Sequence, residues 1–203
     1  MVLQRQDWIE ESWKVIATQS VEAVKVEAIA RQLGVSKGSF YWHFKNRAEL
    51  LDALLKYWQQ DTLRLIQESR KAPTAKESLM WLFNLIDQTN QQFSADTAIF
   101  LWAKKNAGVA QRVREVESKR IQYLQELLQG CGLNWQEAAH RAEVAYLAFL
   151  GYADRRHRDS QFSLSIKEFS HFLLSMLIAP STSPSLNGNA DGAATVGANY
   201  EDQ

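Results

Sequence analysis

Proline occurs at only three positions of this 203-residue chain, at 73, 180 and 184. Because proline disrupts the interior of a helix, helices can run without interruption between these positions. Apolar residues there recur at helical spacing, and no segment alternates as a half-buried strand does. The pattern therefore predicts an all-α chain of about nine helices. They are expected near residues 7–19, 26–33, 37–43, 47–71, 75–93, 96–106, 109–129, 135–157 and 165–179.

Two changes in composition divide the chain. The first falls at Pro73, which ends a long helix, and the second at Pro180, after which small and polar residues dominate. A segment so poor in large apolar residues cannot form a core, so we expect it to be disordered. The predicted units are an N-terminal domain at 1–50, joined through the long helix, a helical domain at 51–179, and a disordered tail at 180–203.

Composition excludes several classes of protein. Apolar residues make up 46% of the chain, which is enough for a globular core. Its single cysteine, Cys131, excludes an internal disulfide and a zinc finger, and the scattered histidines predict no metal site. The polar N-terminus and the short apolar runs predict neither a secretory signal nor a membrane span, so we expect a soluble cytoplasmic protein without a cofactor.

The most informative segment is 26–44, whose sequence is VEAIARQLGVSKGSFYWHF. Ile29, Ala30 and Leu33 give a short helix one apolar face, Gly34 ends it, and Ser36 can cap the next helix. Two short helices joined by a tight turn that contains glycine form a helix-turn-helix. In such a unit the N-terminal residues of the second helix face base edges in the major groove.

The second helix and the start of the next one carry the predicted DNA contacts. Ser39 is short and can bond to bases, and Gly38 lets DNA approach closely. Trp42 has two interpretations, a surface aromatic packed on the long helix or a contact to a base or sugar. Phe40 and Phe44 are the expected core anchors. The predicted DNA-binding residues are Ser36, Lys37, Gly38, Ser39, Tyr41, Trp42, His43, Lys45 and Arg47.

The segment VEAIARQLGVSKGSFYWHFKNRAELLDALL resembles the DNA-binding signature of TetR-type transcriptional regulators. The resemblance covers about residues 8–58, and beyond them only the length and helix order fit. It implies a homodimeric repressor with a three-helix head that binds a palindromic operator, and a C-terminal helical domain that dimerises and binds a small effector. Departures from the family pattern at Glu27 and at Lys37 and Gly38 predict an operator of its own.

Two surfaces of the C-terminal domain are predicted on this basis. Small and aromatic residues on the last two helices suggest a four-helix dimer interface, although the same residues also suit the core of one protomer. Its candidates are Ala138, Ala142, Ala145, Phe149, Tyr152, Phe169, Phe172 and Met176. Aromatic residues interleaved with polar ones suggest a pocket for an aromatic or lipophilic effector, cationic if Asp87 points inward, and equally an ordinary core. Its candidates are Trp81, Asn84, Asp87, Gln88, Phe100 and Trp102.

Other functions are weighed against this one. No glycine-rich phosphate loop and no nucleophile motif is present, so we expect no enzymatic activity. Equal numbers of basic and acidic residues, 23 of each, argue against an architectural protein that coats DNA. The remaining alternative is an adaptor of the same fold that binds a protein partner and no longer reads DNA. It stays open because Glu27 is acidic and the head has only a slight excess of basic over acidic residues, so its electrostatic attraction to DNA is weak.

Overall fold

The structure, a computed structural model, describes residues 3–88, 90–159 and 161–180, apart from the side chains of residues 84–94 and 157. Within these residues the chain forms nine α-helices and no strand, which confirms the predicted all-α class. The helices are α1 (Arg5–Thr18), α2 (Val26–Gln32), α3 (Lys37–Phe40), α4 (Arg47–Ser69), α5 (Ala75–Gln88), α6 (Asn90–Ala103), α7 (Ala107–Gly130), α8 (Trp135–Arg158) and α9 (Ile166–Leu177). None of these helices is long and apolar enough to cross a membrane.

Side-chain caps fix where several helices begin. The side chains of Asn46, Asn134 and Ser165 each accept a hydrogen bond from the backbone N–H three residues on, at 3.0, 3.0 and 3.2 Å. At α9 the cap is reciprocal, because Glu168 Oε2 also accepts from the Ser165 N–H at 3.0 Å. Such caps satisfy N–H groups of the first turn that have no partner within the helix. Local sequence therefore sets where these three helices begin.

Three helices differ from the prediction. α3 ends at Phe40 rather than at residue 43, because the chain tightens into turns in which the N–H of Tyr41 donates to the Gly38 carbonyl at 3.2 Å. α6 begins at Asn90, several residues earlier than predicted. α5 ends at Gln88 rather than at residue 93. Residue 89 lies outside the described residues, as does the predicted tail from residue 181 onward.

Helices α1 to α4 enclose the core of the N-terminal unit. Trp8 and Ile16 of α1 are buried against Ile29 of α2 and Phe40 of α3. Ala95 of α6 is fully buried in the same cluster. Helix α6 therefore packs against the head, mainly along α1.

A second cluster joins the middle of α4 to helices α6 and α7. Helices α5 to α9 are called the body here, and α1 to α3 with the start of α4 the head. Leu55 and Trp58 of α4 pack with Ile99 of α6 and with one face of α7 that carries Val113 and Val116. The first two turns of α4 thus pack in the head, and the next turn packs in the body. Its last turn is tied to α7 by a hydrogen bond between Ser69 Oγ and Tyr123 Oη, 2.5 Å apart.

Helices α5, α7, α8 and α9 form the C-terminal core. The α8 and α9 helices run antiparallel, because Arg141 at the start of α8 donates to the Leu177 carbonyl at 2.7 Å while Tyr152 near its end donates to the Leu164 carbonyl at 3.1 Å. Phe169 of α9 stacks on Tyr152 with ring centroids 4.5 Å apart. These contacts fix which faces of α8 and α9 point inward.

Candidate nucleic-acid interface

The turn between α2 and α3 has the geometry that the motif requires. Gly34 has a φ of 71°, a conformation that glycine adopts without steric cost. The Val35 N–H then reaches back to the Ala30 carbonyl at 2.9 Å, which closes the end of α2. Ser36 occupies the N-cap position of α3 in extended backbone, although its side chain makes no capping hydrogen bond.

Two aromatic residues anchor the recognition segment, as predicted. Phe40 and Phe44 are buried and stack on each other with centroids 5.3 Å apart. The ring of Trp8 meets Phe40 edge-on at 5.3 Å. Because these two phenylalanines provide the attachment, the residues between and around them are left at the surface.

The predicted DNA-binding residues form this surface. Ser36, Lys37, Gly38, Tyr41, Trp42 and Lys45 are exposed, and Ser39, His43 and Arg47 are half-buried. Trp42 is 87% exposed, so it is not packed on the long helix. The other interpretation, a contact to a base or sugar, remains a prediction.

Arg47 has a structural role that the sequence did not indicate. Its Nε donates to the carbonyl of Val24 and its Nη2 to the carbonyl of Val21, each at 2.5 Å. The guanidinium thereby fastens the start of α4 to the segment that precedes α2. Basic character alone suggested a phosphate contact, but the backbone carbonyls already engage these two donors.

A cross-helix ion pair sits beside the exposed surface. Lys37 Nζ at the start of α3 lies 2.5 Å from Glu27 Oε1 in the first turn of α2. The hydrogen bond from Lys37 lowers the pKa of Glu27, and the same bond raises the pKa of Lys37. Both groups are therefore charged near neutral pH, and the pair adds no net charge to the head.

The body contains a buried polar network that the sequence analysis missed. Asp96 of α6 accepts hydrogen bonds from Arg120 Nη1 of α7 at 2.7 Å and from Trp58 Nε1 of α4 at 2.5 Å. Arg120 Nη2 also donates to Thr62 Oγ1 of α4 at 3.1 Å. Burial opposes the charge of Arg120, but the charge and hydrogen bonds of Asp96 outweigh it and raise the pKa of Arg120 further. The network connects three helices, and its members are too far apart in sequence to form a local motif.

The predicted effector residues are only partly described. The side chains of Asn84, Asp87 and Gln88 lie outside the described residues. Phe100 packs edge-on against Trp58 with ring centroids 6.5 Å apart. Trp102 packs against both the core of the head and the cluster around Trp58. Trp81 is half-buried on α5 and belongs to none of the described clusters. The structure therefore does not bring these three aromatic residues into one group.

An open groove lies elsewhere, along α7 and beside α8. Its volume is about 380 Å³, and none of the predicted effector residues lines it. Its lining is mainly polar and consists of Arg114, Glu117, Ser118, Ile121, Gln122, Gln125 and Glu143.

The predicted dimer stripe requires a correction. Ala138, Ala142 and Ala145 are fully buried within the protomer, and Phe149 and Tyr152 are buried with them. Phe169 is half-buried because it packs on that same core. Small residues let helices of the same chain approach α8 closely, so the five buried residues belong to the core of one protomer, the alternative interpretation, and do not face a second chain.

Away from this core, α8 and α9 carry four exposed apolar side chains. Val144 and Leu147 of α8 are 55% and 63% exposed, and Phe172 and Met176 of α9 are 66% and 53% exposed. Phe172 and Met176 were in the predicted interface, whereas Val144 and Leu147 were not. We refer to these four residues as the outer apolar face.

The head and the fold both have known counterparts. Residues 9–54 match the family model for bacterial regulatory proteins of the tetR family. Over 52 residues the chain is 38% identical to the tetracycline repressor protein class C of Escherichia coli, which is 26% of this chain and 24% of that protein. The chain thus matches between about a quarter and two fifths of the length of the curated relatives.

Solved structures match over most of the chain. The TetR transcriptional regulator from Legionella pneumophila has a TM-score of 0.73 at 14% identity, covering 87% of this chain and 98% of that one. FadR from Bacillus subtilis, solved in complex with stearoyl-CoA, has a TM-score of 0.64 at 20% identity, covering 87% and 98%. Fold and head together define a helix-turn-helix protein with a helical C-terminal domain. Residues 9–54 are therefore a DNA-binding head of the TetR type, and the chain as a whole has the fold of solved TetR-family regulators.

Proposed function

We propose that this protein is a ligand-responsive repressor that binds a palindromic operator as a homodimer in the cytoplasm. The observation that carries the proposal is the surface around α3, where Lys37, Tyr41 and Trp42 are exposed on a segment anchored from beneath by Phe40 and Phe44. Anchored recognition helices of this kind present their first residues to base edges. The base-reading and positioning residues are those predicted from the sequence, with Arg47 acting on the scaffold as well.

The outer apolar face supports the homodimer. Large exposed apolar patches mark interaction sites, and two copies of this face are able to cover each other about a two-fold axis. Two heads related by that axis then meet two half-sites of a palindrome. The interface proposed here consists of Val144, Leu147, Phe172 and Met176 in place of the buried alanine stripe.

The effector is proposed to bind among the helices after residue 75. Trp81, Asn84, Asp87, Gln88, Phe100 and Trp102 remain the candidates, and the complex of the structural neighbour FadR with stearoyl-CoA supports a lipophilic ligand. Helix α6 supports the route of communication, since it packs on α1 of the head and bonds through Asp96 to α4. An effector that favours one placement of α6 changes the separation of the heads and thereby the operator affinity.

Selection from a random pool of DNA duplexes tests this function. The purified protein should enrich a palindromic sequence, and the affinity for that sequence should fall steeply with salt because each phosphate contact releases counterions. Analytical ultracentrifugation of the complex should show two protomers for each duplex. If no sequence is enriched, the adaptor without DNA reading becomes the better interpretation, and the same protein then serves as bait for a protein partner.

A further inference from the structure

The Glu27–Lys37 ion pair lies where it is not needed for the scaffold. The two side chains meet across α2 and α3 at 2.5 Å, yet they are 62% and 51% exposed. The helix-turn-helix is already held by the turn at Gly34 and by buried Phe40. Exposed ion pairs of this kind contribute little to folding, so stability does not explain the pair.

The position of the pair points to DNA. Lys37 is the first residue of α3, and the first residues of a recognition helix face base edges. Glu27 is held beside it by the ion pair. A carboxylate in a groove bordered by phosphates is repelled by them, so Glu27 weakens binding to DNA in general. Such a residue increases specificity when the correct base forms a hydrogen bond with it and the other bases do not.

The pair matches the major-groove edge of one particular base pair. An ammonium group has three donors, of which one meets Glu27 and two remain, and the carboxylate keeps free lone pairs. Guanine presents two acceptors, O6 and N7, while its partner cytosine presents the N4 amino donor. An A·T pair instead places the acceptor O4 and a methyl group of thymine where the carboxylate comes.

We propose that Glu27 and Lys37 together read one G·C base pair in each operator half-site. Lys37 donates to O6 and N7 of guanine, and Glu27 accepts from N4 of cytosine while it holds the lysine in place. The inference rests on the proposed function, since it requires that α3 enters the major groove. It assigns to Glu27 a role in specificity that the charge balance of the head obscured.

The experiment compares selected sequence profiles of the wild-type protein with those of Lys37→Met and Glu27→Gln. Each variant should lose about tenfold of the preference for G·C, at the same base pair of the half-site, and leave the other positions unchanged. Glu27→Gln should also bind random duplex more tightly than the wild type. Glu68→Gln is the matched control, because it breaks another exposed ion pair, with Lys71 at 2.7 Å. Glu68 lies about 30 Å along α4 from the start of that helix beside the recognition segment.

A charge exchange separates base reading from a structural role. The double variant Glu27→Lys with Lys37→Glu keeps an ion pair but exchanges donor and acceptor, so the preferred base pair should change from G·C to C·G. A purely structural pair would leave the wild-type profile, and that result overturns the inference. It is also overturned if the two single variants alter different base pairs or none. Failure of the wild-type protein to enrich any sequence instead refutes the proposed function.

Discussion

Asp96 of α6 and Arg120 of α7 form an ion pair, 2.7 Å apart, that is buried beneath α4. Both carboxylate oxygens of Asp96 are engaged, one by Arg120 and the other by the indole N–H of Trp58. Taking two charges out of water is unfavourable unless every remaining bond is made, and here α4 provides the additional partners. The position of α4, which carries the head, is thereby coupled to an electrostatic contact within the body.

Replacing Asp96 with asparagine should therefore be strongly destabilising. It leaves Arg120 buried without a countercharge and sets an amide donor against other donors, which lowers the free energy of unfolding by about 3 kcal/mol. Urea denaturation at fixed protein concentration, followed by circular dichroism, measures the loss. Asp154→Asn is the control, because the exposed Asp154–Arg158 pair on α8 should cost less than about 1 kcal/mol. Equal losses in the two variants would contradict the assigned role.

Variants of Arg47 and Lys45 should distinguish a role in stabilising the fold from a role in contacting DNA phosphates. Arg47→Met removes two hydrogen bonds to backbone carbonyls and should lower the free energy of unfolding by about 2 kcal/mol. Lys45→Met changes an exposed side chain and should alter stability by no more than about 0.5 kcal/mol while weakening DNA binding. Thermal unfolding and fluorescence anisotropy with the selected operator provide the two measurements. Unchanged stability in Arg47→Met would rule out its scaffold role.

Gly38→Ala should affect folding and DNA binding in opposite directions. A Cβ atom at Gly38 meets only Ser36 Oγ, at 3.6 Å, so alanine fits the free protein and should stabilise it by about 0.5 kcal/mol. The added methyl group occupies space that DNA needs if α3 lies deep in the groove, and operator affinity should fall. Gly108→Ala, in the first turn of α7, is a control that should leave operator affinity unchanged. Undiminished binding by Gly38→Ala would show that DNA does not approach this position closely.

Two exposed tryptophans provide a test of the DNA surface. Trp42 and Trp135 are 87% and 68% exposed, so replacing either with alanine should change stability by no more than about 0.5 kcal/mol. Only Trp42→Ala should weaken operator binding, by about tenfold, because only that indole stands beside α3. Isothermal titration with the operator duplex distinguishes the two variants. Equal affinities would assign the Trp42 indole to some other partner.

The outer apolar face can be tested through the oligomeric state. Phe172→Glu places a charge in the centre of the proposed interface and should raise the dimer dissociation constant by at least about thirtyfold. Leu101→Glu, on α6, alters a side chain of similar exposure, 56% against 66%, and should leave the dimer intact. Sedimentation velocity over a series of concentrations measures both. A dimer that tolerates Phe172→Glu would require a different interface.

What the sequence could predict depended on the distance over which each pattern acts. The caps at Asn46 and Ser165 and the turn at Gly34 are set by neighbours within a few residues, and the structure confirms the predicted turn. The buried alanines of α8 show the limit, since periodicity marks a close-packed face without saying whether the partner helix belongs to the same chain. Asp96 and Arg120 lie 24 residues apart, so only the tertiary fold could pair them.

Sequence also left the role of individual charges open. Arg47 was correctly placed at the start of a helix beside the recognition segment, but a guanidinium binds carbonyl and phosphate oxygens alike. The carbonyls that it meets belong to Val21 and Val24, more than twenty residues earlier in the chain. Lys37 and Glu27, ten positions apart on different helices, became a pair only once the turn at Gly34 had folded.

The burial of Ala95 among residues of the head bears on how such regulators are recombined. Ala95 belongs to α6, yet it is sealed in one apolar cluster with Trp8 and Phe40, and Trp102 packs against the same cluster. A chimera that joins only residues 1–50 to another body loses the contact between this core and α6. We expect functional exchange of operator specificity between family members to succeed when the α6 surface is transplanted with the head, or when only the exposed residues of α3 are replaced.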